Sequence, residues 1–464
     1  MFKSVKFFLS IVLIAVFTIL ANAAEIKPVK YVFLFIGDGM SLPQRMLAEE
    51  YSRQTAGKGL YINSMPYQAV TITRSASDYI TDSAASGTAI ACGEKTVNRA
   101  LGMDKTLKRN LESIAEVAKA AGRKVGIISS MPINHATPAA FYANNPHRKN
   151  NYAIALDLLK TDFDYFGGGG ILRYDDKKNK LYCGNIYELL ARQGYKILHT
   201  RKDIEAAASG KVFAAPVKGD SLPYAIDRVA GDMRLEEFVT QAIKLLDNEK
   251  GFFIMTEGGK IDPGCHNNDA ATAVRETVDF DNAVKVAVDF ARKHPAETLI
   301  VVTGDHETGG LTLGRNGSGY NPAVAKLQFQ KYSIETLCIK FREFLGARND
   351  LKFNDIKPLL AECFNFYFED CKNIPAGALK LTAAESKKIL DAFNRQYKDG
   401  KLQQYNPLVW EAVAIFNAKC GIGWTSYNHT ALPVITSACG VNGPVFSGFI
   451  DNTDIAKKLK QAVR

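Results

Sequence analysis

The chain has 464 residues, 47 % of them hydrophobic and 23 % charged, with a formal net charge of +10. That length allows one large α/β domain or two to three smaller ones, and the composition excludes a disordered or low-complexity chain. The basic excess is spread along the chain (Lys105 to Arg109, Arg173 to Lys180, Lys457 to Lys460) rather than interleaved with aromatics, so it favours anionic ligands in general and gives no case for nucleic acid.

Lys3 and Lys6 precede the apolar run Phe7 to Leu20, and Ala21-Asn22-Ala23 follows as an A-x-A cleavage pattern. Residues 1–23 are therefore predicted to be a signal peptide. The run is short for a membrane span, and no cysteine follows it to carry a lipid. The mature chain, residues 24–464, is expected to be exported, periplasmic or secreted, with no membrane span once the leader is removed. Eight cysteines (Cys92, Cys183, Cys265, Cys338, Cys363, Cys371, Cys420 and Cys439) contain no CxxC pair. Disulfides are allowed in an exported chain, but eight cysteines admit about 105 pairings and the sequence does not choose among them.

In chain order, the first buried-strand pattern is Tyr31–Ile36, leading into Gly37-Asp38-Gly39. Next comes Thr81-Asp-Ser-Ala-Ala-Ser-Gly-Thr-Ala89, where small residues let a helix begin at Ser83 with room above its hydroxyl. The first amides of such a helix suit an anion. Taken alone, the same stretch would also serve tight helix packing. A helix over Leu111–Ala121 precedes a second strand, Val125–Ser129, which runs into Asn134-His135-Ala136-Thr137. Phe163–Phe166 followed by Gly167–Gly170 looks like another strand exit. A helix over Leu235–Asp247 precedes a third strand, Phe252–Thr256, which ends in Glu257-Gly258-Gly259. Asp262-Pro-Gly-Cys-His266 then sets a carboxylate and an imidazole four residues apart, a pair suited to a divalent metal such as zinc. A helix over Ala270–Arg292 leads to the fourth strand, Leu299–Thr303, and to Gly304-Asp305-His306-Glu307.

Residues 314–428 are helix-like and aromatic-rich and carry no clustered histidine or carboxylate motif, so they are read as an insertion or cap. The chain returns through Gly423 to His429-Thr430, the apolar run Val434–Ser437, and a tail helix introduced by Asp451-Asn452-Thr453-Asp454. Alternating βα units predict a three-layer sandwich: a mostly parallel sheet covered by helices on both faces, with a crown-like helical insertion. Ligand sites in such sheets lie beyond the carboxyl ends of the strands, where all four strands here carry polar groups.

These motifs resemble the alkaline phosphatases. The resemblance rests on Ile36-Gly-Asp-Gly-Met40, Thr81-Asp-Ser-Ala-Ala-Ser86, His135-Ala-Thr-Pro-Ala-Ala140, Glu257-Gly-Gly-Lys-Ile-Asp262 with His266, Gly304-Asp-His-Glu-Thr308, and His429-Thr430. It covers roughly residues 30–313 and 424–455. It implies a phosphomonoesterase that forms a covalent phosphoserine on Ser83, with two zinc ions and one magnesium ion. By the same resemblance Asp262, His266 and His429 hold one zinc, and Asp38, Asp305 and His306 the other, with Ser83 completing that site. Asp38, Thr137 and Glu257 hold the third metal, and Arg148 binds the phosphate. Family members are often homodimers.

Three positions stand apart from this pattern. His135 replaces the aspartate of some members and leaves the third metal's identity open, so it is assigned beside that site rather than to it. Pro263 stands where other members place lysine, histidine or tryptophan, and Cys265 is read as outside the ligand set. The balance of charge fits the substrate: about +6 from three divalent ions and +1 from Arg148 outweigh four carboxylates and an ionised Ser83 by about +2, matching a phosphate dianion. The rival readings are a phosphodiesterase or sulfatase of the same superfamily and a non-catalytic exported phosphate- or zinc-binding protein. A sulfatase needs a modifiable Cys or Ser followed by x-Pro-x-Arg, whereas Ser83 is followed by Ala-Ala-Ser.

Overall fold

Side chains along a β-strand alternate between two faces, and strand β1 (Tyr31–Gly37), buried at all seven positions, feeds two cores in this way. Val32, Leu34 and Ile36 pack into one core with Ala84, Ile90, Ile455 and Leu459. Tyr31, Phe33 and Phe35 pack into another with Phe238, Val239, Phe280 and Val284. A run with both faces apolar belongs in the middle of a covered sheet. The computed structural model describes residues 25–464 except 348, 349, 372, 399 and 400, so the expected signal peptide lies outside the described residues.

The remaining strands of the main sheet are β2 (Tyr67–Ile72), β3 (Lys124–Ser129), β4 (Tyr165–Gly168), β5 (Lys196–Leu198), β6 (Val212–Ala214), β7 (Phe252–Gly258), β8 (Thr298–Gly304), β9 (Val434–Gly440) and β10 (Gly448–Asp451). Their spatial order is β10-β2-β9-β8-β1-β7-β3-β4-β6-β5. Only β9 runs against its neighbours, β2 and β8. The sheet is thus mostly parallel, as the sequence predicts. Four of its strands, β2, β5, β6 and β10, have no counterpart in the sequence reading: β5 and β6 are three residues long, and β10 at the edge and β2 beside it have partly exposed faces.

The helices needed below are α1 (Leu42–Ala56), α2 (Ser83–Cys92), α3 (Ile114–Ala120), α4 (Leu235–Leu246), α5 (Ile261–His266), α6 (Ala270–Lys293), α7 (Ile334–Gly346), α8 (Phe353–Phe364), α9 (Ala383–Gln396), α10 (Pro407–Lys419) and α11 (Asn452–Ala462). Helices α2, α3 and α11 cover one face of the sheet, and α4 and α6 the other. Helix α3 starts three residues later than its apolar pattern suggests. The reason is a capping box: Ser113 Oγ accepts from Glu116 N and Glu116 Oε2 accepts from Ser113 N.

Within residues 314–428, helices α7 to α10 build a third core around Phe341, Phe364, Leu408 and Phe416, which also takes in Leu47 of α1 and Val274 of α6. Asp269 ties the two parts together. Its carboxylate caps α6 at Thr272 N and accepts from Gln330 Nε2 and Ile334 N. Among the described residues no helix is long and apolar enough to cross a membrane, and all eight cysteines are unpaired.

What this sheet does for function is set by register. Gly37 of β1 lies opposite Gly258 of β7 and Gly304 of β8, and Ser129 of β3 lies opposite Glu257. Four strands therefore stop flush, and the loops that follow them meet. Phe280 of α6 packs beneath this rim, and a Cβ on Gly258 would come 2.6 Å from its ring. Phe280→Ala should cost about 3–5 kcal/mol of stability, read as a lowered urea midpoint with an unchanged m-value.

Candidate active site

Asp38 leaves β1 and Asp305 leaves β8, side by side because those strands are paired in register. The turn between Asp38 and α1 needs glycine at position 39. Its φ is 71°, and a Cβ there would lie 2.9 Å from Asp262 Cα. Gly39 N and His306 N donate to Asp305 Oδ1 at 3.0 and 2.9 Å, which fixes that carboxylate.

Helix α2 begins at Ser83 as expected, because Asp82 caps it and accepts from Ala85 N at 3.0 Å. Ser86 Oγ donates to Asp305 O at 2.6 Å and clips the helix to the end of β8. Gly87 permits close approach to the segment carrying Thr137: a Cβ on it would lie 3.3 Å from Thr137 Cα. The outcome is a serine only 2 % exposed, with its Oγ 3.1 Å from His306 Nε2 and 3.4 Å from Asp38 Oδ1.

Three groups of side chains surround it. Ligand atoms of Asp38, Asp305 and His306 lie within 4.8 Å of one another. In a second group His266 Nε2 is 3.1 Å from His429 Nε2 and 3.4 Å from Asp262 Oδ2, and His429 Nε2 is 3.6 Å from Asp262 Oδ1. The His306 ring stacks on His429 at 3.6 Å between centroids and joins the two groups, so that Asp262, His306 and His429 also converge within 4.8 Å. The third group is Asp38, His135 and Glu257. Thr137 reaches the same neighbourhood from the short helix after β3, Ala136–Ala139. His135 thus stands among the ligand atoms themselves, closer in than the sequence reading places it, because it is the residue just before a short helix at Ala136–Ala139.

Residues absent from the sequence reading orient these groups. His429 Nδ1 meets the Thr81 carbonyl at 2.9 Å and His266 Nδ1 meets the Tyr427 carbonyl at 2.5 Å, which leaves both Nε2 atoms turned inward. Thr308 Oγ1 donates to Asp262 Oδ1 at 2.6 Å, and the Ser129 hydroxyl donates to Glu257. Arg148 is aimed by Asp82, Nη1 to Oδ2 at 3.1 Å, and its Nη2 lies 3.2 Å from His135 Nε2. Asp82 and Thr308 each sit inside a sequence motif that carries a site residue, and that position is the signal for them. Cys265 turns away from the site. It is fully buried in the core on the other side of α5, and burial pushes its thiol up.

The site carries an electrostatic conflict. Burial and the charges of Asp305 and Asp262 push Asp38 well above the ordinary carboxylate range, and burial does the same to Asp305. Burial raises Glu257 to about 7 against the opposing Ser129 hydroxyl. Burial lowers His135 to about 3, helped by Arg148, and lowers His306 as well. Asp262 runs the other way: burial raises it, but the His266 hydrogen bond and the surrounding imidazoles outweigh that and hold it low.

Among the described residues, five buried atoms here have no hydrogen-bond partner: Asp38 Oδ2, Asp305 Oδ2, Glu257 Oε1, Thr137 Oγ1 and His135 Nδ1. Buried polar atoms are normally satisfied, and several left open at one spot, four of them oxygens, fit bound cations.

Comparison with known proteins gives a consistent result. The family model described as alkaline phosphatase matches residues 29–464. The chain is 35 % identical over 387 residues to alkaline phosphatase 4 of Bacillus subtilis (strain 168), covering 82 % of this chain and 76 % of the relative. It is 31 % identical over 448 residues to alkaline phosphatase 3 of the same organism, covering 94 % and 89 %. A solved cold-active alkaline phosphatase from the psychrophile Shewanella sp. matches with a TM-score of 0.78 and 29 % identity, covering 94 % of this chain and 100 % of that one.

The conflict among these carboxylates sets a pH dependence. A carboxyl whose folded value is raised binds its proton more tightly in the fold, so its contribution to stability falls as pH rises from the unfolded to the folded value. For Glu257 that window runs from about 4.5 to about 7, and Asp38 and Asp305 add to it with the same sign. Metal-stripped protein should therefore lose thermal stability between pH 5 and 8. Adding Zn²⁺ and Mg²⁺ should reverse the loss, as scanning calorimetry at several pH values will show.

Proposed function

The chain belongs to the alkaline phosphatases, metal-dependent hydrolases of phosphate monoesters, and we propose that in this member Ser83 is the nucleophile of a double-displacement reaction. The observation that carries the proposal is the seating of Ser83 Oγ between His306 Nε2 and Asp38 Oδ1 at the first turn of α2. A serine hydroxyl is a weak nucleophile until a base or a metal takes up its proton's role, and the other hydroxyl beside His306, Thr308 Oγ1, is engaged by Asp262 Oδ1 at 2.6 Å.

The residues present fit three cations: Asp38, Asp305 and His306 with Ser83 for one, Asp262, His266 and His429 for a second, and Asp38, Thr137 and Glu257 for a third. Two nitrogen-bearing sets suit zinc and the oxygen-rich set suits magnesium, while His135 adds a nitrogen donor that strengthens zinc's claim on the third position. When bound, such cations neutralise the carboxylates and act as Lewis acids towards phosphoryl and ester oxygens.

The rest follows from the chain's own groups. Arg148, held by Asp82, offers two N–H donors to the non-bridging oxygens of the phosphoryl group. The first amides of α2 face the same charge. Ser83 Oγ gives up its proton and forms a bond to phosphorus as the bond to the ester oxygen breaks, and the alcohol leaves carrying a proton. Water then attacks the phosphoserine, releasing inorganic phosphate and returning the hydroxyl. Phosphoryl transfer passes through a loose transition state, so positioning and charge neutralisation supply most of the catalysis. The leader pattern in residues 1–23 supports export before the enzyme acts, and residues 24–464 are read as one catalytic domain interrupted by 314–428.

Ser83→Ala should give no labelled phosphoprotein after mixing with a radiolabelled monoester, and label retained on that variant would contradict the assignment. Arg148→Ala should lower kcat/KM for a simple monoester by about 10- to 100-fold, the loss of charge-assisted hydrogen bonds. Exhaustive chelation should abolish turnover, and Zn²⁺ with Mg²⁺ should restore it.

A further inference from the structure

A cavity of about 450 Å³ opens beside the His266 side of the site, and one wall comes from the insertion whose role the sequence leaves undefined. Its lining begins at Asn267, the residue after His266, and includes Tyr427, whose carbonyl holds His266 Nδ1. Gly309 N donates to Asn428 O at 2.9 Å and Thr425 N to Gly309 O at 3.1 Å, so the return segment that carries Tyr427 is pinned against the loop following His306. The cavity and the reaction centre thus share a rigid wall.

The opposite wall is one face of α10. Trp410, Val413, Ala414, Asn417 and Ala418 recur at helical spacing and all line the cavity. The other face of the helix (Leu408, Ala412, Ile415, Phe416) is spent on the insertion's own core. Ala414 and Ala418 are small and leave space beside the Trp410 ring. Trp410 and Tyr427 are 39 % and 59 % exposed and stand edge to face at 6.1 Å, two large rings kept at an open surface. Arg315 lines the mouth, its backbone tied to Ser318, with no ion pair among the described residues. A pocket of this size with two aromatic rings, a planar cation and a few amides fits a flat, heteroatom-bearing ring.

We propose that this cavity is the subsite for the alcohol half of the substrate, and that it favours monoesters whose alcohol carries a planar heteroaromatic ring of nucleoside size. The ring would lie against Trp410, in the space left by Ala414 and Ala418, with Arg315 over its edge, while the phosphoryl group rests at Ser83. This rests on the phosphatase reading and deepens it. Compact alcohols such as glycerol leave the cavity unfilled.

The test is steady-state kinetics of the metal-loaded enzyme on adenosine 5′-monophosphate, glycerol 2-phosphate and 4-nitrophenyl phosphate. Trp410→Ala should raise KM for the nucleotide about tenfold with kcat held, because a ring stacked alike in ground and transition states contributes uniform binding. KM for glycerol 2-phosphate should stay within about twofold, and Trp410→Phe should keep most of the nucleotide affinity. Arg315→Ala should move the nucleotide in the same direction by less. The ratio of kcat/KM values on two substrates, taken on one preparation, cancels any unfolded fraction. An unchanged ratio in Trp410→Ala would overturn the proposal, as would a shift confined to 4-nitrophenyl phosphate. Failure of the wild-type enzyme to turn over any monoester would contradict the phosphatase reading instead. In that case adenosine binding to wild type and Trp410→Ala by calorimetry judges the cavity alone.

Discussion

Four carboxylates brought out of water to one place repel each other, and the rest of this structure depends on what balances them. Asp38, Asp305, Asp262 and Glu257 are gathered at the rim of the sheet, where low dielectric strengthens each charge's effect on the next. Protonation relieves the repulsion at low pH, whereas at alkaline pH only cations can do so. The same ions that hold the site together would therefore also set its sign for a phosphate dianion, so stability and catalysis draw on one interaction.

The fold makes that gathering possible by aligning strand ends. Because Gly37, Gly258 and Gly304 lie opposite one another, the residues that follow them arrive together without long connecting loops. Small groups at contact points, Gly39 against Asp262 and Gly87 against Thr137, then bring backbones close enough for short side chains to meet. Orientation comes from backbone carbonyls rather than further charges: Thr81 and Tyr427 each take the outer nitrogen of a histidine. Phe280 and the aromatic side chains of β1 support the arrangement from below.

Much of this was legible in the sequence, for identifiable reasons. The four central strands are apolar on both faces, so their runs stand out, and the polar residues just past them mark the site. The start of α2 at Ser83 is legible in the small residues that follow it, whereas the Asp82 cap that fixes it shows only in the structure. Partly exposed strands such as β2 alternate weakly, and short ones such as β5 carry too few residues for a period. His135 was placed outside the ligand group because its side-chain direction depends on a four-residue helix that sequence pattern does not define. The wall formed by α10 was illegible for another reason. A helix apolar on nearly every side gives no sign of which face is left open, and that face becomes meaningful only when Tyr427 and Asn267 are seen across from it.

The most direct test of the central claim is anomalous scattering from crystals of the zinc-loaded protein. Strong peaks are expected at Asp38, Asp305 and His306 and at Asp262, His266 and His429, with Ser83 Oγ directed at the first. Absence of zinc from both groups in active protein, or Ser83 Oγ turned away from them, would contradict it.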